Sequence, residues 1–551
     1  MRIGSVIVLE QLIHLGVKEI FGYPGGAIMP IYDALLDYPE ELTHYRFAHE
    51  QGAVHAADGY ARSNKKVGVC FTTSGPGATN TVTGIATAYM DSVPIVVFTG
   101  QVATSLLGKD SFQEIDITSI CEPITKKTFA VESIDALAKT VDDAIKTALS
   151  GRPGPVVVDL PKDVMLTYSD QPIYVDESPS EIYTSNQTAL IEQIALIIDS
   201  AKRPIIYTGG GVKQSGASTL LKTLAEKISA PVTNTLMGLG TFPTDHPLSL
   251  GLSGMHGHPE GNKAIMNCDL LLVIGTRFSD RAIGKSNTFA NDAYIIQLDI
   301  DDTEFSKNIP CHLYLNGDLC THMTSLIDSV QEAKHDSWLE WIASNKYPDP
   351  PEADYCPHNI FKLVNSYYRK NTVLITDTGQ HQMWAAQFWE FNHPQAFLTS
   401  GGLGTMGYGL GAAIGATIGR KDMQTVLITG DGSFRMNCNE LLTVSNYRLP
   451  LTMILINNES LGMVRQWQKL FNQERYSETA NRSLLDYVKL CAAYEIPARR
   501  VTNLSELKCA LDERIITPGP FLIEVLIAPD EDVYPIVPPG KSIDEYMLKK
   551  E

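Results

Sequence analysis

Two stretches near the carboxyl end hold residue types suited to gripping a charged ligand. They are Thr429-Gly430-Asp431-Gly432-Ser433 and, further on, Asn457-Asn458. The run Thr425–Thr429 is apolar and β-branched and predicts a buried strand, after which Gly430 and Gly432 permit a tight turn. From Ser433 the pattern turns helical, with Phe434, Leu441, Leu442 and Val444 expected on one buried face. A second buried strand, Leu451–Ile456, then ends on the two asparagines. This order sets Asp431 and Asn458 at the carboxyl ends of adjacent parallel strands, where open α/β sheets bind ligands. Carboxylate and amide oxygens are hard donors and suit Mg²⁺, which completes its octahedron with water and phosphate oxygens. A lone Asp in a turn more often caps the next helix. The ordered combination is what points to a metal–diphosphate site.

The elements around that pair read as α/β throughout. The chain has 551 residues, 44% of them hydrophobic and 19% charged, enough for about three domains. Its formal charge of −19 disfavours a nucleic-acid or anionic-membrane surface. No run reaches the ~18 apolar residues of a membrane span. The first helix, about residues 4–16, is interrupted by Glu10 and Gln11 and does not read as a signal peptide. Nine scattered cysteines without a Cys-x-x-Cys pair fit reduced thiols in a cytoplasmic protein.

Strand-then-glycine junctions recur at Ile20–Gly26, at Val67–Thr72 before Thr73-Ser74-Gly75, and at Pro204–Gly211. Polar linkers are expected at Thr167–Gln187 and near residues 330–355, which separates three doubly wound domains with mainly parallel sheets: 1–166, 186–330 and 355–545. The first and third share an echo. Thr73-Ser74-Gly75 and Thr399-Ser400-Gly401 each precede a small-residue helix and then a strand ending on Thr-Gly, which suggests two versions of one unit.

With these residues in view, the chain resembles the large catalytic subunits of acetolactate synthases, within the thiamine-diphosphate-dependent enzymes. The likeness runs through Phe21–Ala27, His49-Glu50-Gln51-Gly52-Ala53, Ala57–Arg62, Thr73–Asn80, Phe112-Gln113-Glu114, Arg277–Arg281, Gly401–Gly407 and Leu461–Trp467. It implies a first domain that binds the pyrimidine of thiamine diphosphate, a middle domain that binds FAD, and a third that binds diphosphate and Mg²⁺. By the same resemblance Glu50 meets the pyrimidine ring and shares a proton with it, which activates the cofactor. Asp431, Asn458 and the backbone of Ser460 hold Mg²⁺. Gly379, Gln380, His381, Gly430, Gly432, Ser433 and Met463 surround the diphosphate end. Gly404 receives the aminopyrimidine, and Met406 props the cofactor.

The implied FAD set is Arg152, Lys162, Gly209, Gly210, Thr235, Leu236, His256, Arg277, Asp280, Arg281, Asp299 and Asp318. Arg281 is also implied to meet the 2-ketoacid carboxylate, and Trp467 to shape the acceptor pocket, while Gln113, Phe112 and Lys162 line the access channel. Active sites between subunits are implied, in a homodimer or homotetramer with a possible small regulatory subunit. The implied reaction decarboxylates pyruvate and joins the remaining two-carbon unit to a second pyruvate or to 2-ketobutyrate. Rival readings are a FAD-free catabolic acetolactate synthase, a pyruvate oxidase, or a non-catalytic paralogue. Four positions depart from the family pattern: Ser460, Gly411 in place of a usual Pro, Ala48 in place of a common Arg, and Asn439 in place of a common Gln.

Overall fold

Parallel sheets covered on both faces demand strands without a polar side, and this sequence supplies them. The computed structural model describes residues 1–175, 187–346, 354–369, 371–481 and 485–548. Three six-stranded sheets order the chain. The first is built from β1 (Glu19–Gly22), β2 (Thr43–Arg46), β3 (Gly68–Thr72), β4 (Ile95–Gln101), β5 (Lys127–Ala130) and β6 (Val156–Pro161), in the order β2-β1-β3-β4-β6-β5. The second holds β7 (Pro204–Thr208), β8 (Val232–Asn234), β9 (Ser249–Leu252), β10 (Leu270–Ile274), β11 (Tyr294–Asp299) and β12 (Leu313–Asn316), ordered β9-β8-β7-β10-β11-β12. The third holds β13 (Thr372–Thr376), β14 (Phe397–Leu398), β15 (Gln424–Gly430), β16 (Leu451–Asn457), β17 (Ala498–Val501) and β18 (Phe521–Leu526), ordered β14-β13-β15-β16-β18-β17.

Pairing within all three sheets is parallel. Central strands such as β3, β4, β7, β10, β13 and β16 are buried at every residue. The first and third sheets have the same strand order, so the echo in the sequence reflects a repeated topology. The middle sheet follows the order typical of dinucleotide-binding folds. Among the described residues no helix is long and apolar enough to cross a membrane.

The first and third units meet along two helices of small residues, Glu50–Asn64 and Tyr408–Gly419. Their backbones approach so closely that a Cβ at Gly59 would lie 2.1 Å from the Ala412 carbonyl oxygen, and one at Gly415 1.9 Å from that of Ala56. Gly411 belongs to the same seam, since a Cβ there would meet the Gly52 carbonyl oxygen at 2.8 Å. A buried ion-pair network closes one end. Arg62 binds Asp58 at 2.7 Å and Asp91 at 3.0 Å, and the Tyr408 hydroxyl donates to Asp58. Asp91 in turn accepts from the backbone N–H groups of Gly401 and Gly402. Charge pairing of this kind is the condition on which an arginine is held this deep.

Two expectations need correction. The helix after Asp431 is not continuous: Asp431–Asn437 gives way to a 3₁₀ turn at Cys438–Glu440 before Leu441–Asn446. That break rotates Leu442 out of the core, leaving it 41% exposed while Phe434, Leu441 and Val444 stay buried. The start of the first expected linker is also structured. Tyr168–Ser169 pairs with Arg2–Ile3, and Tyr174 exchanges backbone hydrogen bonds with the Gln11 amide at 2.9 Å. Residues 176–186 and 347–353, including Pro348-Asp349-Pro350-Pro351, lie outside the described residues.

Candidate active site

At the carboxyl edge of the third sheet, β15 and β16 run side by side with Gly430 opposite Ile456. Asp431 therefore starts a helix beside the point where Asn457 and Asn458 leave β16, as the sequence pattern predicts. A pocket opens there, lined by Gly379, Gln380, His381, Met406, Gly430, Asp431, Gly432, Ser433, Asn458, Ser460 and Met463. It encloses about 460 Å³ including its mouth, within the usual range for small-molecule sites. Gly379 takes φ 149° at the start of the helix Gln380–Phe388, a conformation that side chains oppose. That turn lets the His381 ring lie against Gly430, where a Cβ would come within 2.8 Å of Nδ1.

The polar groups of this pocket fit a diphosphate and a divalent cation. His381 Nε2 and Thr378 Oγ1 are buried without a hydrogen-bond partner, and both residues line the pocket. Burial drives the His381 imidazole down to about 3, so it stands neutral. Burial also pushes the Asp431 carboxyl up to about 6, a penalty that a bound cation would reverse. Asp431 accepts from Asn481 Nδ2 at 2.5 Å. Asn458 is oriented by two bonds, from its amide N–H to Gln380 Oε1 and from the Ser460 N–H to its carbonyl oxygen, both 3.1 Å. The Ser460 hydroxyl donates to the Thr479 carbonyl, which leaves the Ser460 backbone carbonyl as its offering to a metal. Among the described residues no cluster of three or more His, Cys, Asp and Glu could hold an ion alone. A cation at Asp431 would thus complete its shell with ligand oxygens and water.

Glu50 lies elsewhere. It opens the helix Glu50–Asn64 on the first unit, 9% exposed, with His49 as the capping residue. Its Oε2 accepts from Asn80 Nδ2 at 2.9 Å. Gly77, in the short helix Pro76–Thr79 after β3, would carry a Cβ 3.3 Å from its Oε1. Gln113 joins the same edge, its Cβ 2.9 Å from the position of a Cβ on Gly75. Gly404 (φ 70°) is exposed and also lies outside the pocket of Asp431. One chain thus carries two separate clusters, at matching edges of two matching sheets.

A third grouping stands at the rim. The Arg281 guanidinium lies 5.2 Å over the Trp467 ring, and it also contacts Asp280 and Met255. Trp467 belongs to the helix Gly462–Phe471, which carries Met463 into the pocket. The structure therefore brings together two residues far apart in the chain.

The middle unit offers its switch point, between β7 and β10. Gly209 and Gly211 pack against Gly275, where Cβ atoms would meet backbone at 2.2 and 2.7 Å, so both glycines serve the sheet edge itself. Gly210 has only Met237 in reach, at 3.4 Å. Arg152 reaches across from the first unit to Asp301 at 2.8 Å and Glu304 at 2.9 Å. Arg277 is pushed down by burial and by Arg152, an arrangement that a bound pyrophosphate would relieve. Asp299 is pushed up to about 6 by burial. His256, down to about 4 by burial, faces the Pro535 carbonyl, and Lys162 opens a short helix after β6. Asp318 caps the helix Leu319–Ser329, and Thr235 caps the turn Leu236–Gly238, so both carry a structural duty whatever else they do.

Sequence reasoning missed several residues. Asp377 accepts from the Thr429 hydroxyl at 2.9 Å and the Gly409 N–H at 3.0 Å, joining β15 to the helix Tyr408–Gly419. Its place directly after a predicted strand was an available signal. Asn80 lay inside a quoted motif without a role. Asn481 reaches Asp431 from a loop, and nothing in its local sequence announces that.

Comparison with known proteins agrees with this architecture. Three family descriptions match in chain order: the thiamine pyrophosphate enzyme N-terminal TPP binding domain over residues 2–120, the central domain over 191–326, and the C-terminal TPP binding domain over 377–525. The class is that of the thiamine-diphosphate-dependent enzymes. The chain is 44% identical over 550 residues to the acetolactate synthase isozyme 2 large subunit of Escherichia coli (strain K12), covering 99% of each. It is 42% identical to the acetolactate synthase large subunit of Cyanidium caldarium, over 98% of this chain and 96% of that one. To that of Lactococcus lactis subsp. lactis (strain IL1403) it is 40% identical, over 98% and 95%. The chain belongs to the acetolactate synthase large-subunit family.

Proposed function

We propose that this chain is the catalytic subunit of a biosynthetic acetolactate synthase. It decarboxylates pyruvate and joins the two-carbon remainder to a second 2-ketoacid. Pyruvate as acceptor gives 2-acetolactate, and 2-ketobutyrate gives 2-aceto-2-hydroxybutyrate, the first common step towards the branched-chain amino acids. The near-full-length identity to large subunits carries this reading. Thiamine diphosphate supplies the electron sink for both bond changes.

The chain's own residues divide the remaining work. Asp431, Asn458 and the Ser460 carbonyl hold Mg²⁺, and the turns at Gly379-Gln380-His381 and Gly430–Ser433 receive the diphosphate at two helix starts. The Gln380 side chain is spent on Asn458, Gln466 and the Glu531 carbonyl, so its contribution to phosphate is its backbone. Met406 and Met463 give the pocket its apolar face, and Gly404 offers its carbonyl to the aminopyrimidine. Glu50 exchanges a proton with the pyrimidine ring. Arg281 pairs with the ketoacid carboxylate, Trp467 bounds the acceptor pocket, and Gln113 and Lys162 border the way in. Sealing that pocket from water keeps the two-carbon unit for the acceptor.

Glu50 and Asp431 serve opposite ends of one cofactor, yet they occupy separate clusters of the chain. We therefore assign the working form to a homodimer or homotetramer in which Glu50 of one copy faces the Asp431 pocket of another. Exposed apolar side chains beside both clusters support this: Phe112 (88%) next to Gln113, and Met436 (58%) and Leu403 (44%) near the pocket. Arg152, Gly210, Arg277 and Asp299 at the middle switch point would hold FAD, which would serve there as a structural group without net redox change. A small regulatory subunit is a further partner, and the cytoplasm is the place of action. The test is acetolactate formation from pyruvate with Mg²⁺ and thiamine diphosphate, with and without FAD and oxygen. Production that needs FAD but not oxygen is expected; oxygen-dependent peroxide release or no product would overturn the reading.

A further inference from the structure

Glu440 is a fully buried carboxylate, at 0% exposure, to which the site described above gives no part. It ends the 3₁₀ turn Cys438–Glu440, which continues the helix begun at Asp431. Two of its four hydrogen-bond partners lie in the other unit. The backbone N–H of Ala48 donates to its Oε2 at 3.1 Å and that of His49 to its Oε1 at 3.0 Å. These are the two peptide groups directly before the helix that Glu50 opens. The Thr443 hydroxyl donates to Oε2 at 2.6 Å and Asn439 Nδ2 to Oε1 at 3.3 Å. The two backbone N–H groups and the Asn439 amide N–H can only donate and the Thr443 hydroxyl turns to do so, so the seat presents donors to both carboxyl oxygens while burial pushes the Glu440 carboxyl up to about 7. Gly52 completes it, because a Cβ there would lie 2.4 Å from Oε1.

We infer that Glu440 is a positioning residue for Glu50: it clamps the peptide groups of Ala48 and His49 and so sets the direction in which the Glu50 side chain leaves the helix start. The inference rests on the reading of Glu50 given above. Two holds then act around Glu50, Asn80 on its carboxylate and Glu440 on the Ala48 and His49 N–H groups that precede it. A proton transfer between Glu50 and a ring nitrogen is sensitive to a fraction of an ångström, so a slack helix start costs rate before it costs binding. An amide in place of the Glu440 carboxylate would turn an N–H₂ group against a backbone donor and leave buried donors unpaired.

The experiment uses the full-length protein with Mg²⁺ and thiamine diphosphate. It follows exchange of the thiazolium C2 hydrogen for deuterium, read by NMR after acid quench. For Glu440→Gln, exchange is expected to slow about tenfold or more and kcat to follow, with KM for pyruvate within about threefold. A staple that merely joins the two units would move the melting temperature and leave exchange per folded site unchanged. Exchange within about twofold of the wild type in folded Glu440→Gln would overturn the inference. If that variant does not fold, Thr443→Val takes its place. It removes one donor from Oε2 without changing shape, and about a threefold slowing is expected, while an unchanged rate overturns the inference. Glu50→Gln runs alongside: wild-type exchange in that variant would sink the role of Glu50 itself, a different result from failure at Glu440.

Discussion

The first and third units share one strand order and use it differently. At the carboxyl edge of the third sheet the chain places glycine turns, a buried Asp, an Asn and unpaired polar atoms around a pocket. At the matching edge of the first sheet it places Glu50, Asn80 and Gln113. A repeated architecture thus fixes where a site can form, and under the function proposed above the residues at a few strand ends would decide which half of a cofactor each edge takes.

The sharpest way to break this contrast is Glu50→Gln. Acetolactate formation should fall about a hundredfold or more, with the melting temperature and Mg²⁺ dependence near those of the wild type; near-normal turnover would remove the first unit from the chemistry. Asp431→Asn should act on the other half. Its apparent Mg²⁺ affinity should drop about a hundredfold, a ligand being worth at least as much as its outer partners, and excess Mg²⁺ should restore part of the rate; a metal titration that matches the wild type would refute the clamp. Trp467→Leu should keep acetolactate formation and cut the preference for 2-ketobutyrate about tenfold, the scale of a reshaped apolar pocket, as competition between the two acceptors would show.

The smallest effect concerns the seam between the units. His55 is fully buried against Tyr408, with Nδ1 unpartnered, and burial followed by the nearby Arg62 lowers its pKa to about 3. The unfolded chain therefore takes up a proton near the usual value of about 6.5 that the folded chain refuses, so this stability is present above that pH and lost on acidification. In His55→Phe the penalty is absent. Relative to the wild type, the variant should gain about 2 kcal/mol between pH 7.5 and 5, read as a widening difference in thermal midpoint; a difference that does not change with pH would mean the ring is not titrating.

Much of this was legible in the residues themselves. Buried strands declared themselves as continuous runs of Val, Ile and Leu, and β15 and β16 cover the expected Thr425–Thr429 and Leu451–Ile456. The glycine turn at Gly430 was legible in the residues, because few other residues accept such contact, while Gly379 came only with the family resemblance. Leu442 was misjudged because helical periodicity assumes an unbroken helix, and the 3₁₀ turn at Cys438–Glu440 resets it. Gly411, where the family usually has Pro, is in the structure a close contact with Gly52 across the seam.

By itself, then, the sequence determined the sheets, the turns that end them and the donor types at each end, since these follow from local propensity and side-chain chemistry. Tertiary structure alone decided which distant residues meet: Arg281 over Trp467, Asn481 on Asp431, Glu440 beneath the peptide groups before Glu50. Such pairs are made by packing between elements distant in the chain, and packing carries no period that a linear reading can detect.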